Sequence, residues 1–434
     1  MKIFAAVAIV FISVIFLRKR LFLIPYFYLL GVITEQHGFF RVLSNLLGDY
    51  LSVAKLITGI LFLAYLVAKK PNHNIDFKNN NLLKIVILVI LYFSSTILWT
   101  DRITDMGSII SFPLMGLITY VFAKLCLDEV IQLHFIRALS LSGLLISFAA
   151  LTIYFNIEFF NFLGGNYLNI DSLVLGQDVF RSRPLNINSN IASFWIVIGS
   201  VFSFSFYLNK NKMWDFLSSN ALIYLLFFNI AGLLSMASLS SLSFFSAMLI
   251  MVLFQSKINQ KIKIYFRILS LFILFFVLSL FTGLGENLIN RFKENKFESV
   301  RADHFEDVSG FGGRKEIISN SFSYFARSPF IGHGFNSFKN EFGKSSHNSF
   351  LWALTSGGIV GFVLWLAFKL SLITSLKGSI DGNHIRNSID ISLKAVCIGF
   401  IIYSLAHNLH LNKFFWLIIA LVIANVSRNK LAIN

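Results

Sequence analysis

Charge is what this sequence has least of. Only 13% of its 434 residues are Asp, Glu, Lys or Arg, where a soluble domain carries about 25%. Proline is nearly absent, with 5 residues, and cysteine numbers 2. Two cysteines build no disulfide framework, and Cys126 and Cys397 both fall in apolar stretches. What fills the space is apolar: 56% of residues are hydrophobic, 50 of them Phe, and the mean hydropathy is +0.72. These residues come in long runs. A soluble enzyme, a disordered chain and a disulfide scaffold are excluded, and an all-α polytopic membrane protein is expected.

A span needs about 20 apolar residues to cross roughly 30 Å of hydrocarbon. Runs of that kind lie near 3–17, 21–34, 50–68, 82–99, 106–124, 135–155, 189–208, 219–234, 237–254, 265–283, 350–374, 393–410 and 413–427. The first two are short, so about 12 (12–13) transmembrane helices are expected in one transmembrane domain over 1–434. No small-residue cleavage site follows the first run, and Arg18-Lys19-Arg20 comes after it, which speaks for an uncleaved first span.

The net charge of +16 would suggest nucleic acid in a soluble protein. Here its distribution assigns it otherwise. Under strict alternation Arg18–Arg20, Lys69, Lys70, Lys78, Lys210, Lys212, Lys257, Lys261, Lys263, Lys377, Arg386, Arg428 and Lys430 fall on one side. The positive-inside rule makes that side cytoplasmic. The charge is topological, and no nucleic-acid partner is needed.

Two segments on the opposite side are longer than turns, 156–188 and 284–349, and long loops tend to carry function. In the second, Arg314 opens a helical pattern in which Ile317, Ile318, Ser321, Phe322 and Phe325 form one apolar stripe, as in a helix lying on the membrane surface. Ser328-Pro329 and Gly332-x-Gly334 end it. Arg314 then faces either lipid phosphates or a site. Beyond lies Ser345-Ser346-His347-Asn348-Ser349, followed by an apolar helix with Gly357-Gly358-Ile359-Val360-Gly361. Ser345, Ser346 and Asn348 suit an N-cap. His347 therefore sits at a helix start, either as an ordinary polar cap or beside an anion such as a pyrophosphate, which that end of a helix favours. Gly358 and Gly361 have a spacing that admits a neighbouring helix. The C-terminal helices are placed at 350–427.

His347-Asn348, nine residues, then Gly358-x-x-Gly361 resembles the signature of the O-antigen ligase/O-antigen polymerase superfamily. A second His-Asn pair, His407-Asn408, lacks the downstream glycines and is placed deep in a span. Ser328-Pro329 through Gly332-His333-Gly334 resembles the family's Pro-x-x-Gly-x-Gly stretch. Arg181-Ser182-Arg183-Pro184, then Asn188-Ser189-Asn190-Ile191-Ala192, is similar to the family's arginine before an Asn-Pro-Asn-x-x-Ala helix start, with Ser189 in place of proline. At Ser238–Ser243 many members have a Ser-Arg-Gly step and this chain has no arginine.

The resemblance implies a bacterial inner-membrane enzyme, multi-pass, whose site faces the periplasm. It implies transfer of a glycan from undecaprenyl pyrophosphate to a sugar hydroxyl, on a growing glycan or on the lipid A core, with inversion at the anomeric carbon. Membrane lipids and a chain-length regulator are the further partners it implies. No cofactor and no metal are expected: P-loop, dinucleotide fingerprint and metal-binding carboxylate pair are all missing from the sequence, and Asp303, His304, Glu306 and Asp307 lack a metal-site spacing. The implied roles are His347 as general base, Arg181, Arg183 and Arg314 as forks on the pyrophosphate, and Asn348 and Asn190 as further substrate contacts. Polymerase comes first and ligase second. A transporter or flippase is the remote alternative, since transporters keep charged sites near the midplane on repeated, interrupted helices, whereas here Lys55 is the clearest intramembrane charge and no repeat is visible.

Overall fold

A computed structural model of the protein describes residues 20–34, 75, 80–100, 106–155, 165–172, 177–184, 189–218, 221–236, 239–255, 311–376, 384–405, 407–410 and 412–431. The expected spans at 3–17, 50–68 and 265–283, and the acidic cluster at 303–307, lie outside them. The elements in order are α1 (Ile24–Thr34), α2 (Asn81–Ser95), α3 (Met106–Leu125), α4 (Glu129–Tyr154), β1 (Gly165–Ser172), β2 (Gln177–Pro184), α5 (Ser189–Leu208), α6 (Leu222–Ser235), α7 (Leu239–Gln255), α8 (Phe311–Arg327), α9 (Ser337–Phe342), α10 (Ser349–Thr374), α11 (His384–Ser404) and α12 (Lys413–Leu431). The protein is helical. Among the described residues four helices are long and apolar enough to cross a membrane: Asn81–Trp99, Glu129–Tyr154, Asn190–Leu208 and Ser349–Thr374.

Two expectations shift. The segment 156–188, read as loop, contains an antiparallel hairpin that pairs Asn166 with Arg183 and Leu168 with Arg181. The helix expected at 135–155 starts at Glu129, because the Asp128 carboxylate accepts from the backbone N–H of Val130 at 2.8 Å and of Ile131 at 3.3 Å. That cap satisfies two of the orphan donors at the helix start.

The fold divides into two compact units that interleave in sequence. The first comprises 1–73, 125–292 and 381–395. Its centre is α4, α5 and α6, brought close by small residues. A Cβ on Gly199 would stand 3.0 Å from the Leu139 carbonyl oxygen, and one on Gly232 would stand 2.7 Å from Ser147 Cα. At this spacing buried polar side chains meet across the helices. The Ser140 and Ser203 hydroxyls are 2.6 Å apart, Ser147 donates to Asn229 Oδ1 at 2.9 Å, and Asn229 donates to Ser200 Oγ at 3.0 Å. Apolar surface gives little drive for helices to associate in lipid, so close backbone approach and shared hydrogen bonds hold them. The hairpin packs against α4 through both its strands.

The second unit comprises 74–124, 293–380 and 396–434. Its core is aromatic: Phe93, Phe112, Trp365 and Trp416 are fully buried, and Trp352 stacks on Phe93 with centroids 4.5 Å apart. A lysine lies within it. Lys369 of α10 is fully buried; its ammonium donates to the Ser404 hydroxyl of α11 at 3.1 Å and sits 3.8 Å from the Phe415 ring centroid of α12.

Candidate active site

The site is built on the start of α10, in the second unit. Asn348 is the N-cap: its Oδ1 accepts from Phe350 N at 2.8 Å and Leu351 N at 3.1 Å. Its amide nitrogen donates to the Leu405 carbonyl at 3.0 Å. Both ends of that side chain are thus engaged with the backbone, so the residue expected to contact substrate works as a cap. His347, one residue earlier, is exposed and holds a left-handed backbone, φ +48°. That conformation is uncommon for a residue with a Cβ, and the residue stands at the end of the helix where the dipole is positive.

The stretch 328–334 and the glycines of α10 form a single interlock. Gly358 has φ +61° and ψ −159°, which breaks the helix. The break leaves carbonyls and amides without helical partners, and the loop supplies them. His333 N donates to Thr355 O at 2.9 Å and Gly334 N to Ser356 O at 2.9 Å, while Ile359 N donates to Pro329 O at 2.8 Å and Val360 N to Phe330 O at 3.3 Å. The approach is so close that a Cβ on Gly358 would fall 2.4 Å from the Phe330 carbonyl, and one on Gly332 would fall 2.5 Å from Gly358 N. Gly358 therefore meets a loop, not the neighbouring helix expected for it. Gly361 does face a helix: a Cβ there would stand 3.0 Å from Tyr92 Cε1 and 3.2 Å from Phe93 Cζ of α2.

Helix α8, expected on the membrane surface, begins three residues before Arg314 and ends at Arg327, just ahead of Ser328-Pro329. Its expected single stripe divides into two faces. Ile317, Ser321 and Tyr324 are buried, with Ile317 and Tyr324 in one cluster with Phe338 of α9. Ile318 and Phe322 are 45% and 53% exposed, on the side away from that cluster. His333 stacks on Tyr324 at 3.9 Å, and its Nε2 donates to the Tyr324 carbonyl at 2.7 Å, tying the interlock to α8. Arg314 lies in the first turn of this helix. Arg181 and Arg183 stand two positions apart on β2 of the first unit, and Asn190 in the first turn of α5. Within the second unit the Pro329–Gly334 loop bonds to α10 around Gly358, ten residues along the helix from its Asn348 cap.

The second His-Asn pair is a correction. α11 ends at Ser404, so His407 and Asn408 are in the connection to α12 and not deep in a span. That connection packs on the start of α10. Ser349 donates to His407 O at 2.8 Å and accepts from Leu409 N at 2.8 Å, and Ser346 lies 3.3 Å from Asn408 Oδ1.

His410 follows. Its ring lies flat on Trp352, centroids 3.7 Å apart and planes 6° apart, and Phe335 meets it edge-on at 5.7 Å. Burial, and then the positive charge of Lys369, push its pKa down from the ordinary 6.5 to about 3. The unfolded chain therefore binds a proton near pH 6.5 that the fold refuses until about pH 3. Stability is at its full value above that upper limit and falls as pH drops through the window, by at most about 1.4 kcal/mol per pH unit. Melting of the purified protein should accordingly fall steeply between pH 7 and pH 4.5, and His410→Phe should flatten that fall. Equal losses in both proteins would remove His410 as the source.

Residues 221–366 match the family model described as O-antigen ligase. This supports the O-antigen ligase/polymerase superfamily. The matched segment takes in α6 to α9 and α10 as far as residue 366, so His347, Asn348, the Gly358 interlock and Arg314 all lie within it. The match covers about a third of the chain, and the apolar helices fit a membrane protein. No curated protein matches the chain.

Among the described residues no group of His, Cys, Asp and Glu could hold a metal ion. The sequence reading missed the 405–412 connection. Its signal was the repeated His-Asn, set aside because the apolar run hid the end of α11. It also missed the hairpin, whose strands carry few strand formers, Tyr167 and Ile170 in the first and Val179 and Phe180 in the second, with Gly176 between them.

Proposed function

We propose that the protein transfers a glycan from undecaprenyl pyrophosphate to a sugar hydroxyl at the periplasmic face of the bacterial inner membrane, as a polymerase of O-antigen or a related surface polysaccharide. The reading is carried by one observation: the His347-Asn348…Gly358-x-x-Gly361 stretch lies in the O-antigen ligase segment and presents His347, exposed, at a helix start. In this mechanism the acceptor hydroxyl attacks the anomeric carbon as His347 takes its proton. The bond from that carbon to the pyrophosphate oxygen breaks on the opposite face, and the lipid pyrophosphate leaves with the electron pair, so the anomeric centre inverts. Charge growing on the leaving group calls for fixed cations where water is partly excluded, and Arg181, Arg183 and Arg314 are assigned to it. No cofactor is invoked. The protein spans the membrane about 12 times, with 284–349 periplasmic, and it works beside a chain-length regulator.

A ligase is the second reading, favoured by the description of the family model itself. A deletion strain separates the two. Loss of long-chain glycan with one repeat unit kept on the core supports the polymerase; lipid-linked polymer accumulating beside a bare core supports the ligase. Normal glycan on the core would sink both.

If the arginines are forks, Arg183→Lys and Arg314→Lys should each keep part of the transfer activity and the alanine variants almost none, because an ammonium cannot grip two phosphate oxygens in a plane. The complementation gel that reads glycan length checks this. Full activity in both alanine variants would move the anion site elsewhere.

A further inference from the structure

The two His-Asn pairs of the chain meet. His347-Asn348 starts α10, and His407-Asn408 lies in the connection that packs on that start. A left-handed backbone at a residue with a Cβ is strained and persists where its surroundings over-determine it. At His347 the constraints lie on both sides. After it, Asn348 donates to Leu405 O, and Ser349 both donates to His407 O and accepts from Leu409 N. Before it, the Ser346 hydroxyl lies 3.2 Å from the Asn348 carbonyl and 3.3 Å from Asn408 Oδ1, and shares its proton between them. Ser346 and Ser349 are buried while His347 between them is exposed. In these contacts the connection offers backbone groups at Leu405, His407 and Leu409, and a side chain at Asn408 alone.

We infer that Asn408 is a positioning residue of the transfer site: by accepting from Ser346 it fixes the turn that aims the His347 imidazole. The inference rests on the reading of His347 as the base. Asn408 touches no reacting atom in this account. Its contribution is to keep the base within hydrogen-bond reach of the acceptor hydroxyl, where a misplacement of about 1 Å can cost about 100-fold. An acceptor oxygen at position 408 is what the geometry requires, and an aspartate also supplies one.

The test uses the full-length protein in membranes, with lipid-linked glycan extracted from the deletion strain as donor and rates expressed per mole of folded protein. Asn408→Ala should lower kcat by roughly 10- to 100-fold with little change in KM for the donor, and Asn408→Asp should restore most of that loss. Ser346→Ala should show at least the Asn408→Ala defect, since it also releases the Asn348 carbonyl, and the double variant should be no worse than Ser346→Ala alone, because the Ser346–Asn408 contact is already gone. Unchanged kcat per folded protein in Asn408→Ala, or an aspartate as impaired as the alanine, overturns the positioning role. His347→Ala runs beside them as the control. If it is inactive while Asn408→Ala is normal, the inference fails and the base assignment stands. If both are fully active, the base assignment fails and takes the inference with it.

Discussion

Replacing His347 with alanine should reduce glycan transfer by about 100- to 10,000-fold, the usual contribution of a positioned general base, while the protein still inserts into the membrane at normal levels. The second half of that expectation follows from the structure. The His347 side chain is exposed, and the fold around it is held by Asn348, Ser346 and Ser349. Cutting the imidazole back to a methyl group therefore leaves the cap and the clasp in place. Asn348 should behave in the opposite way: its loss releases two backbone amides and the Leu405 carbonyl, so it should reduce the amount of protein along with activity. Complementation of a deletion strain, with glycan resolved on a gel and protein measured by immunoblot, distinguishes the two. Wild-type polymer from the His347→Ala strain would remove this residue from the mechanism.

Gly358→Ala should cost the protein its fold, with a loss of more than about 4 kcal/mol, the range reserved for severe clashes and strain. Two penalties combine. The φ of +61° with ψ −159° is a region that is essentially glycine-only. The added methyl group would also stand 2.4 Å from the Phe330 carbonyl carbon and oxygen, which are backbone atoms and cannot swing aside. The variant should be scarce in membranes, and what remains should melt far below the wild type. Gly343→Ala is the control. It shares a positive φ, +67°, but a Cβ there meets nothing within 4 Å, so its cost should stay near 1–2 kcal/mol. Comparable melting temperatures for Gly358→Ala and wild type would show that the loop and the helix break are not locked together.

How much of this was legible in the sequence depends on the range of the interaction. Helices α2 to α7, α10 and α12 could be read from their apolar runs, since a span leaves a continuous signal, whereas the run at 393–410 misplaced both ends of α11. The start of α10 was legible too, because capping is a local matter of a few residues around Asn348. The Pro329–Gly334 stretch and Gly358 could each be seen as unusual, but not that they bond to one another, since the contact closes a loop of about 25 residues and no periodicity records it. The same holds for Asn408, about 60 residues from Ser346. In α8 the sequence showed apolar positions on one side of a helix. Burial then depended on where Phe338 lies, which separated Ile317 and Tyr324 from Ile318 and Phe322.

The buried lysine of α10 bears on how three helices choose their depth relative to one another. Aliphatic and aromatic surfaces in lipid are forgiving: sliding one helix past another by a turn exchanges one apolar contact for a similar one. A cation is not forgiving. Lys369 is accommodated where the Ser404 hydroxyl of α11 and the Phe415 ring face of α12 converge on it, and a shift of about 5.4 Å, one helical turn, carries it away from both. An ammonium so displaced into hydrocarbon costs about 2.5–3.5 kcal/mol on insertion scales. One awkward charge thereby discriminates among vertical alignments that the apolar residues alone would treat as nearly equal, and it does so on the same α10 whose opposite end presents His347.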